Sequence, residues 1–425
     1  MTFKQIPLTL MKLYRFPALL IAVILVTGCE KDPAPPEISS MNPSTGGYGT
    51  EVVITGKNFA ANATGNTVTI NGIEVEVVSA RETSLTIIIP VLAEGEWPVK
   101  VKTEIGETDA GMFNYLYTVY VAGDEFNTSG NSEAKYWKNG KGVILADGTG
   151  THITSIAVSD ADVCVAGTLY TNTVRGRFWK NNLPVSLTTS TVSAANDILI
   201  AGSDVYIAGY GTDGGSVDIA RYWKNGAPVS LTDPSLTDAA CAFSLFKSGE
   251  DLYVAGLVND VGWSDPVATY WKNDNPVYLT DGTEPSRAQD IYVSGNDVFV
   301  CGYERNSSGF NVAKYWKNGT PVDLSDGQAR AWAYSIAVSG TDVYIVGNDG
   351  YGARCWKNGV AVQVECNPAF TTFNSVFIAG NDVFIAGSEQ PDELSPAHAY
   401  YWRNGARVSL TDEKRLSVAT AIFVK

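Results

Sequence analysis

From residue 117 onward the chain alternates apolar and polar positions in short runs, each broken by Gly, Asn, Asp or Pro. Period-two runs bounded by turn residues predict β-strands. The runs recur in a fixed order of four. Around residues 290–326 the first is Asp290-Ile291-Tyr292-Val293-Ser294, followed by a Gly295-Asn296 turn and the second, Asp297 to Gly302. A variable loop, Tyr303 to Asn311, leads to the third, Val312 to Trp316. An Asn318-Gly319 turn then leads to the fourth, Pro321 to Leu324. Asn-Gly between apolar runs predicts a type I′ hairpin, because that turn needs positive φ at both central residues.

The same phrase returns along the chain: AKYWKNG at 134–140, ARYWKNG at 220–226, AKYWKNG at 313–319, with looser copies at 175–181, 268–274, 353–359 and 399–405. Its fixed column is Trp137, Trp179, Trp223, Trp271, Trp316, Trp356 and Trp402, spaced 40–48 residues apart. The second strand also appears seven times, from VYVAG at 119–123 to VFIAG at 383–387. The copy at 119 has no first strand before it, and the chain ends in an unclaimed one, Ala419 to Val424. Four short strands per period of about 40–50 residues predict a β-propeller of seven blades, closed by the C-terminal strand. In such a meander the Ser-Gly-Asn-Asp and Lys-Asn-Gly turns share one face. The long loops after the second strands, with those between blades, share the other, where binding residues are expected.

Residues 36–116 read differently. Alternation at Val52-Val53-Ile54, Val68-Thr69-Ile70 and Val99-Lys100-Val101-Lys102 predicts about seven short strands and an Ig-like sandwich. The phrases PSTGGYGTEVVITGKNF and VTING, with the final FNY, resemble the IPT/TIG family. That resemblance implies a spacer or docking module. Trp97 reads as part of its core.

At the N-terminus, Lys12 and Arg15 precede an apolar run from Phe16 to Val26 that is too short to span a bilayer and fits a signal peptide. Val26-Thr27-Gly28-Cys29 resembles a bacterial lipobox, which implies cleavage after residue 28 and lipidation of Cys29. Met11 competes with Met1 as the start. The acidic, Pro-rich tether at 29–35 resembles the export signal of Bacteroidetes surface lipoproteins. The expected organisation is thus signal peptide 1–28, tether 29–35, IPT/TIG module 36–116 and propeller 117–425. The expected location is the outer membrane, anchored by lipid and facing the exterior.

Composition narrows function more than it defines it. A net charge of −15 argues against nucleic acid as a partner. Two histidines, His152 and His398, cannot supply a multi-histidine metal site. No cofactor is expected, and no D-x-D-x-D-G loop supports Ca²⁺. Carboxylates are frequent in the variable loops (Asp124, Asp213, Glu304 and Glu389 among them), but no spacing pairs two of them for glycosidase chemistry. The Asp residues of the Ser-Gly-Asn-Asp turns read as turn chemistry. Cys164 and Cys301 read as buried thiols, and Cys355 and Cys366 stand out of register for a bridge. The seven repeat tryptophans read as packing between blades. Aromatics outside the repeat on the variable-loop face, Trp263, Trp332, Tyr210, Tyr303 and Tyr351, are the candidate ligand contacts. The leading reading is a non-catalytic module that binds a polysaccharide. A protein-docking scaffold is the second reading and a glycan-active enzyme the third. The layout of lipobox, IPT/TIG module and propeller resembles Bacteroidetes surface lipoproteins, some of which bind glycans for uptake.

Overall fold

A computed structural model describes residues 33–425 except 171, 188–191, 213 and 263. The signal segment with Met1, Met11 and Cys29, together with Asp213 and Trp263, therefore lies outside the described residues. Within them the chain is all-β, with two one-turn 3₁₀ segments, Ala63–Gly65 and Pro368–Phe370, and no α-helix.

The N-terminal module is two facing sheets. One orders Glu37–Asn42, Glu51–Lys57, Ser84–Ile88 and Val77–Arg81; the other orders Thr45–Gly46, Glu107–Tyr115, Gly95–Lys102, Thr67–Ile70 and Ile73–Val75. Strict alternation drives this. Val52 and Ile54 face inward against Val68, Ile70, Val99 and Val101, all fully buried, and each such side chain contributes about 1.5–3 kcal/mol. The strands number nine, more than the sequence pattern suggests, because a two-residue strand at Thr45–Gly46 carries almost no periodicity. Trp97 is half-buried, with its Nε1–H donating to the Ala93 carbonyl at 2.7 Å.

Beyond residue 118 the described residues form seven four-stranded antiparallel sheets. Sheets 2 to 7 run in chain order, with first strands Thr151–Val158, Ser193–Ala201, Thr237–Ser248, Ser286–Ser294, Trp332–Ser339 and Thr371–Ala379. Sheet 1 takes its first strand from the C-terminus: Ser417–Val424 pairs with Val119–Phe126. The first strands pack against one another in sequence, and Ser417–Val424 touches those of both sheet 7 and sheet 2. Each repeat tryptophan is buried between its own sheet and the preceding one: Trp179 packs with Tyr120 and Ala122 of sheet 1, Trp223 with Cys164 and Ala166 of sheet 2.

The recurrent phrase has a structural cause. Both residues of each Asn-Gly turn have positive φ, for example Asn225 at 52° and Gly226 at 84°; Asn181-Asn182 and Asn273-Asp274 fill the same role. The Asn side chain then accepts the first N–H of the second strand and donates to the Asp of the neighbouring turn. In sheet 3 these are Val205 N to Asn225 Oδ1 at 2.9 Å and Asn225 Nδ2 to Asp204 Oδ1 at 2.8 Å. The Lys of Trp-Lys-Asn-Gly pairs with the same Asp, as Lys224 Nζ does with Asp204 Oδ2 at 2.8 Å. The repeated Asp is thus a clamp between two turns. Sheet 1 has Thr118 at the Asp position, because there the two strands come from distant parts of the chain.

The first strands are longer than their alternation suggests, because each contains a one-residue bulge. Pairing slips between Ile153 and Ser155, Ala195 and Asp197, Ala242 and Ser244, Ala288 and Asp290, Ala333 and Ser335, Phe373 and Ser375, and around Thr420. The glycine that ends each second-strand phrase lies opposite. A Cβ on Gly302 would come within 1.9 Å of the Arg287 carbonyl oxygen, and one on Gly209 within 1.9 Å of that of Ala194. Glycine allows the close approach, the approach accommodates the bulge, and a bulge re-aims a side chain.

The N-terminal module sits on the face bearing the tight turns. Tyr117 packs edge-on against Phe384 of sheet 7 at 5.6 Å. The Arg403 guanidinium, at the end of a third strand, bonds both Glu94 of the module and Asp382. The core of the module and the core between sheets 7 and 1 are continuous.

Candidate functional site

Seven side chains, one from each sheet, sit at the bulges: Thr420, Thr154, Asn196, Phe243, Gln289, Tyr334 and Asn374. All line one cavity of about 560 Å³ at the centre of the variable-loop face, joined there by His152, Arg287 and Thr372. One layer deeper, Ser155, Asp197, Ser244, Asp290, Ser335 and Ser375 line a passage between the sheets. That layer is structural. Asp197 accepts from Ser155 Oγ at 2.6 Å and from the N–H of Leu245 at 2.8 Å, and Asp290 accepts from Ser244 Oγ at 2.6 Å and from the N–H of Ile336 at 2.9 Å. Each carboxylate thereby joins three sheets. Burial, the largest influence, pushes Asp197 up to about 6 despite these donors, and the charge of Asp290 adds to the rise.

The bulge residues divide into two groups. Thr154 donates to the Ala195 carbonyl, Asn196 to that of Ala242, Asn374 to that of Ala419 and Thr420 to that of Ala122, at 2.8–3.1 Å. The first three lace their sheet to the next, and Thr420 bonds within sheet 1. The remaining three, Phe243, Gln289 and Tyr334, are neighbours on sheets 4 to 6. Among the described residues, the side chains of Gln289 and Tyr334 make no hydrogen bond. Beside them lies Arg287, two positions before Gln289. Its guanidinium stacks on the Phe243 ring at 3.5 Å from the centroid. Its Nε is buried without a hydrogen-bond partner. It makes no ion pair among the described residues. Burial, the largest influence, lowers its pKa, while the Cys241 thiol and the Tyr303 and Tyr334 hydroxyls lie near enough to offset part of that. Across the opening, His152 Nδ1 lies 2.8 Å from Asp124 Oδ2, and this hydrogen bond raises the histidine's pKa.

The aromatics expected at the site are scattered. Tyr303 pairs in register with Arg287, near enough to influence its charge, but is not among the residues lining the cavity. Tyr210 is half-buried opposite Ala194, within influence of Asp218 and Cys241. Trp332 begins its strand half-buried, paired with Asn348, two residues before Tyr334. Tyr351 is exposed in a loop, its N–H bonded to Asp349. Trp263 lies outside the described residues. Reading for large rings passed over Phe243, Arg287, Gln289 and Tyr334. The available signal was a column that varies inside a fixed phrase: the strands read CAFSL, RAQDI and WAYSI, with the third letter changing while the fourth stays Ser or Asp.

The loop carboxylates are largely committed. Glu125 pairs with Lys135, Glu304 with Lys314, Asp349 with Arg354 and Glu389 with Arg407. Cys164, Cys241, Cys301, Cys355 and Cys366 are all free thiols, the first, third and fourth buried. Among the described residues no group of three or more His, Cys, Asp or Glu side chains is arranged to hold a metal.

Comparison with known proteins gives a partial match. No curated protein matches the chain. Among solved structures it is similar to a protein of unknown function from Bacteroides thetaiotaomicron, at 12% identity and a TM-score of 0.49, over 93% of this chain and 99% of that one. It is also similar to an auxiliary nutrient binding protein from the same organism, at 14% identity and a TM-score of 0.34, over 83% and 96% of the two chains. A third similarity is to the β-propeller domain of the Trilobed protease from Pyrococcus furiosus, at 8% identity and a TM-score of 0.42, over 89% and 99%. Residues 36–119 match the model of the IPT/TIG domain, so the chain carries a domain of that family in front of its seven sheets.

Proposed function

We propose that residues 117–425 form a seven-bladed propeller closed by its C-terminal strand, and that the cavity at its variable-loop mouth is a non-catalytic glycan-binding site. The observation that carries this is the cavity wall, to which every sheet contributes a bulge residue, with the Tyr334 ring and the Gln289 amide, neither of them hydrogen-bonded among the described residues, side by side on neighbouring sheets. Rings take the apolar faces of sugars, and amides take their hydroxyls. Among the described residues, none that lines this cavity is a carboxylate. Hydrolysis of a glycoside needs two, so the reading is capture without cleavage. The IPT/TIG module acts as a rigid mount, and Cys29 as the lipid anchor that places the whole at the outer face of the outer membrane.

The test is calorimetric titration of the full chain, purified in detergent, against a panel of neutral and acidic soluble polysaccharides, with new reducing ends measured in the same samples. Binding without new reducing ends is the expected result. New reducing ends would overturn the non-catalytic reading, and no heat with any glycan would overturn the glycan reading.

A further inference from the structure

We infer that the mouth selects a sugar bearing a carboxylate, and that Arg287 is the residue that takes it. This rests on the glycan reading above and adds the ligand's chemical class. The unlaced bulge residues and Arg287 form one continuous arc over sheets 4, 5 and 6, while the rest of the ring is tied to backbone carbonyls. A side chain bonded to its neighbour is holding the fold. Among the described residues, Gln289 and Tyr334 have polar groups with no such partner, and they flank the Arg287 guanidinium, which lines the cavity.

Burying a cation without an acidic partner is costly unless something meets it. Here Phe243 holds the guanidinium plane by stacking, which fixes the edge of the fork without neutralising it. A guanidinium held flat, with its edge free, matches a carboxylate by two parallel hydrogen bonds. Gln289 and Tyr334, on either side, suit the ring hydroxyls next to such a group.

The overall charge sets how many acidic groups the ligand carries. The chain is at −15, and its field repels a densely charged polymer. One guanidinium offsets one negative charge. The ligand class is therefore a largely neutral glycan with isolated uronic acid residues, in contrast to a polyanion.

The experiment uses matched pairs: glucuronic-acid-substituted xylo-oligosaccharide, oligogalacturonate and hyaluronan oligosaccharide, each with its carboxyl-reduced counterpart, titrated into the full chain. The substituted xylo-oligosaccharide is expected to bind at least tenfold more tightly than its reduced form, and more tightly than the two denser polyanions. Arg287→Gln is expected to remove that tenfold preference, so that the acid and its reduced form bind the variant with equal affinity. A thermal melt checks that the variant folds, and the reduced sugars test the point without any variant. Equal affinity for both members of every pair would overturn the inference while leaving glycan binding intact. An acid preference that survives Arg287→Gln would overturn the assignment of Arg287. Failure of all six sugars and of the neutral panel would overturn both readings.

Discussion

The hydroxyl of Tyr117 donates to the carbonyl of Ala379 at 2.7 Å, joining residues 262 positions apart at the boundary between the IPT/TIG module and sheet 7. Burial raises the Tyr117 pKa to about 12, so it stays a proton donor at any physiological pH. Replacing it by Phe removes the donor and keeps the ring against Phe384. Tyr117→Phe is expected to cost about 1 kcal/mol, read as a lower midpoint in denaturant. An unchanged midpoint would mean the modules are not coupled there.

Gly302 has a more drastic dependence. Its Cβ would meet the Arg287 carbonyl oxygen at 1.9 Å, and both atoms belong to paired strands that cannot part without breaking the ladder. Gly302→Ala is expected to destabilise by roughly 2–4 kcal/mol and to weaken ligand binding through displacement of Arg287 and Gln289. Thermal melts with and without ligand measure both. A variant as stable as the parent would refute the account of the bulge.

The buried Asp197 makes stability depend on pH. Its folded pKa, about 6, lies above the ordinary carboxylate value of about 4. The folded state therefore holds the proton more tightly, and this contribution is full below pH ~4 and lost as pH rises through 6. Melting temperature is expected to fall between pH ~4 and pH ~6. Asp197→Ala is expected to reduce that slope, leaving the part that the buried Asp290 contributes in the same sense, while costing on the order of 1–3 kcal/mol, because the Leu245 N–H and the Ser155 hydroxyl lose their acceptor. A variant with the parent's slope would refute the assignment.

His152 acts in a higher window. Its hydrogen bond to Asp124 raises its pKa above the ordinary value of about 6.5. The stabilisation is present below that value and fades as pH climbs through the raised one. The side chain is half exposed, so screening keeps the amount within about 1 kcal/mol. His152→Gln is expected to flatten the melting profile above pH ~6.5, as seen by calorimetry in low salt.

The repeat was legible because its chemistry is local. Asn225-Gly226 and its equivalents specify a turn from two letters, and the fixed Trp column reports packing between sheets at every period. The bulges were hidden for the opposite reason. A bulge breaks period two, so Ala288-Gln289-Asp290 reads as the edge of a strand when it is the interior of one. The column that lines the cavity fell at that break. Searching for exposed rings favoured Tyr351, which stands alone in its loop, over Phe243, whose ring is committed to stacking under Arg287. Only tertiary structure places residues 243, 287 and 334 side by side.

Thr420 and Val418 line the cavity from the same strand that completes sheet 1. The cavity wall is therefore whole only after segments nearly 300 residues apart have met. A chain lacking its last strand presents an open arc with a missing sector. On the proposed glycan reading, ligand capture then doubles as a proof of integrity: a molecule that binds with full affinity has been threaded, folded and zipped to its last strand.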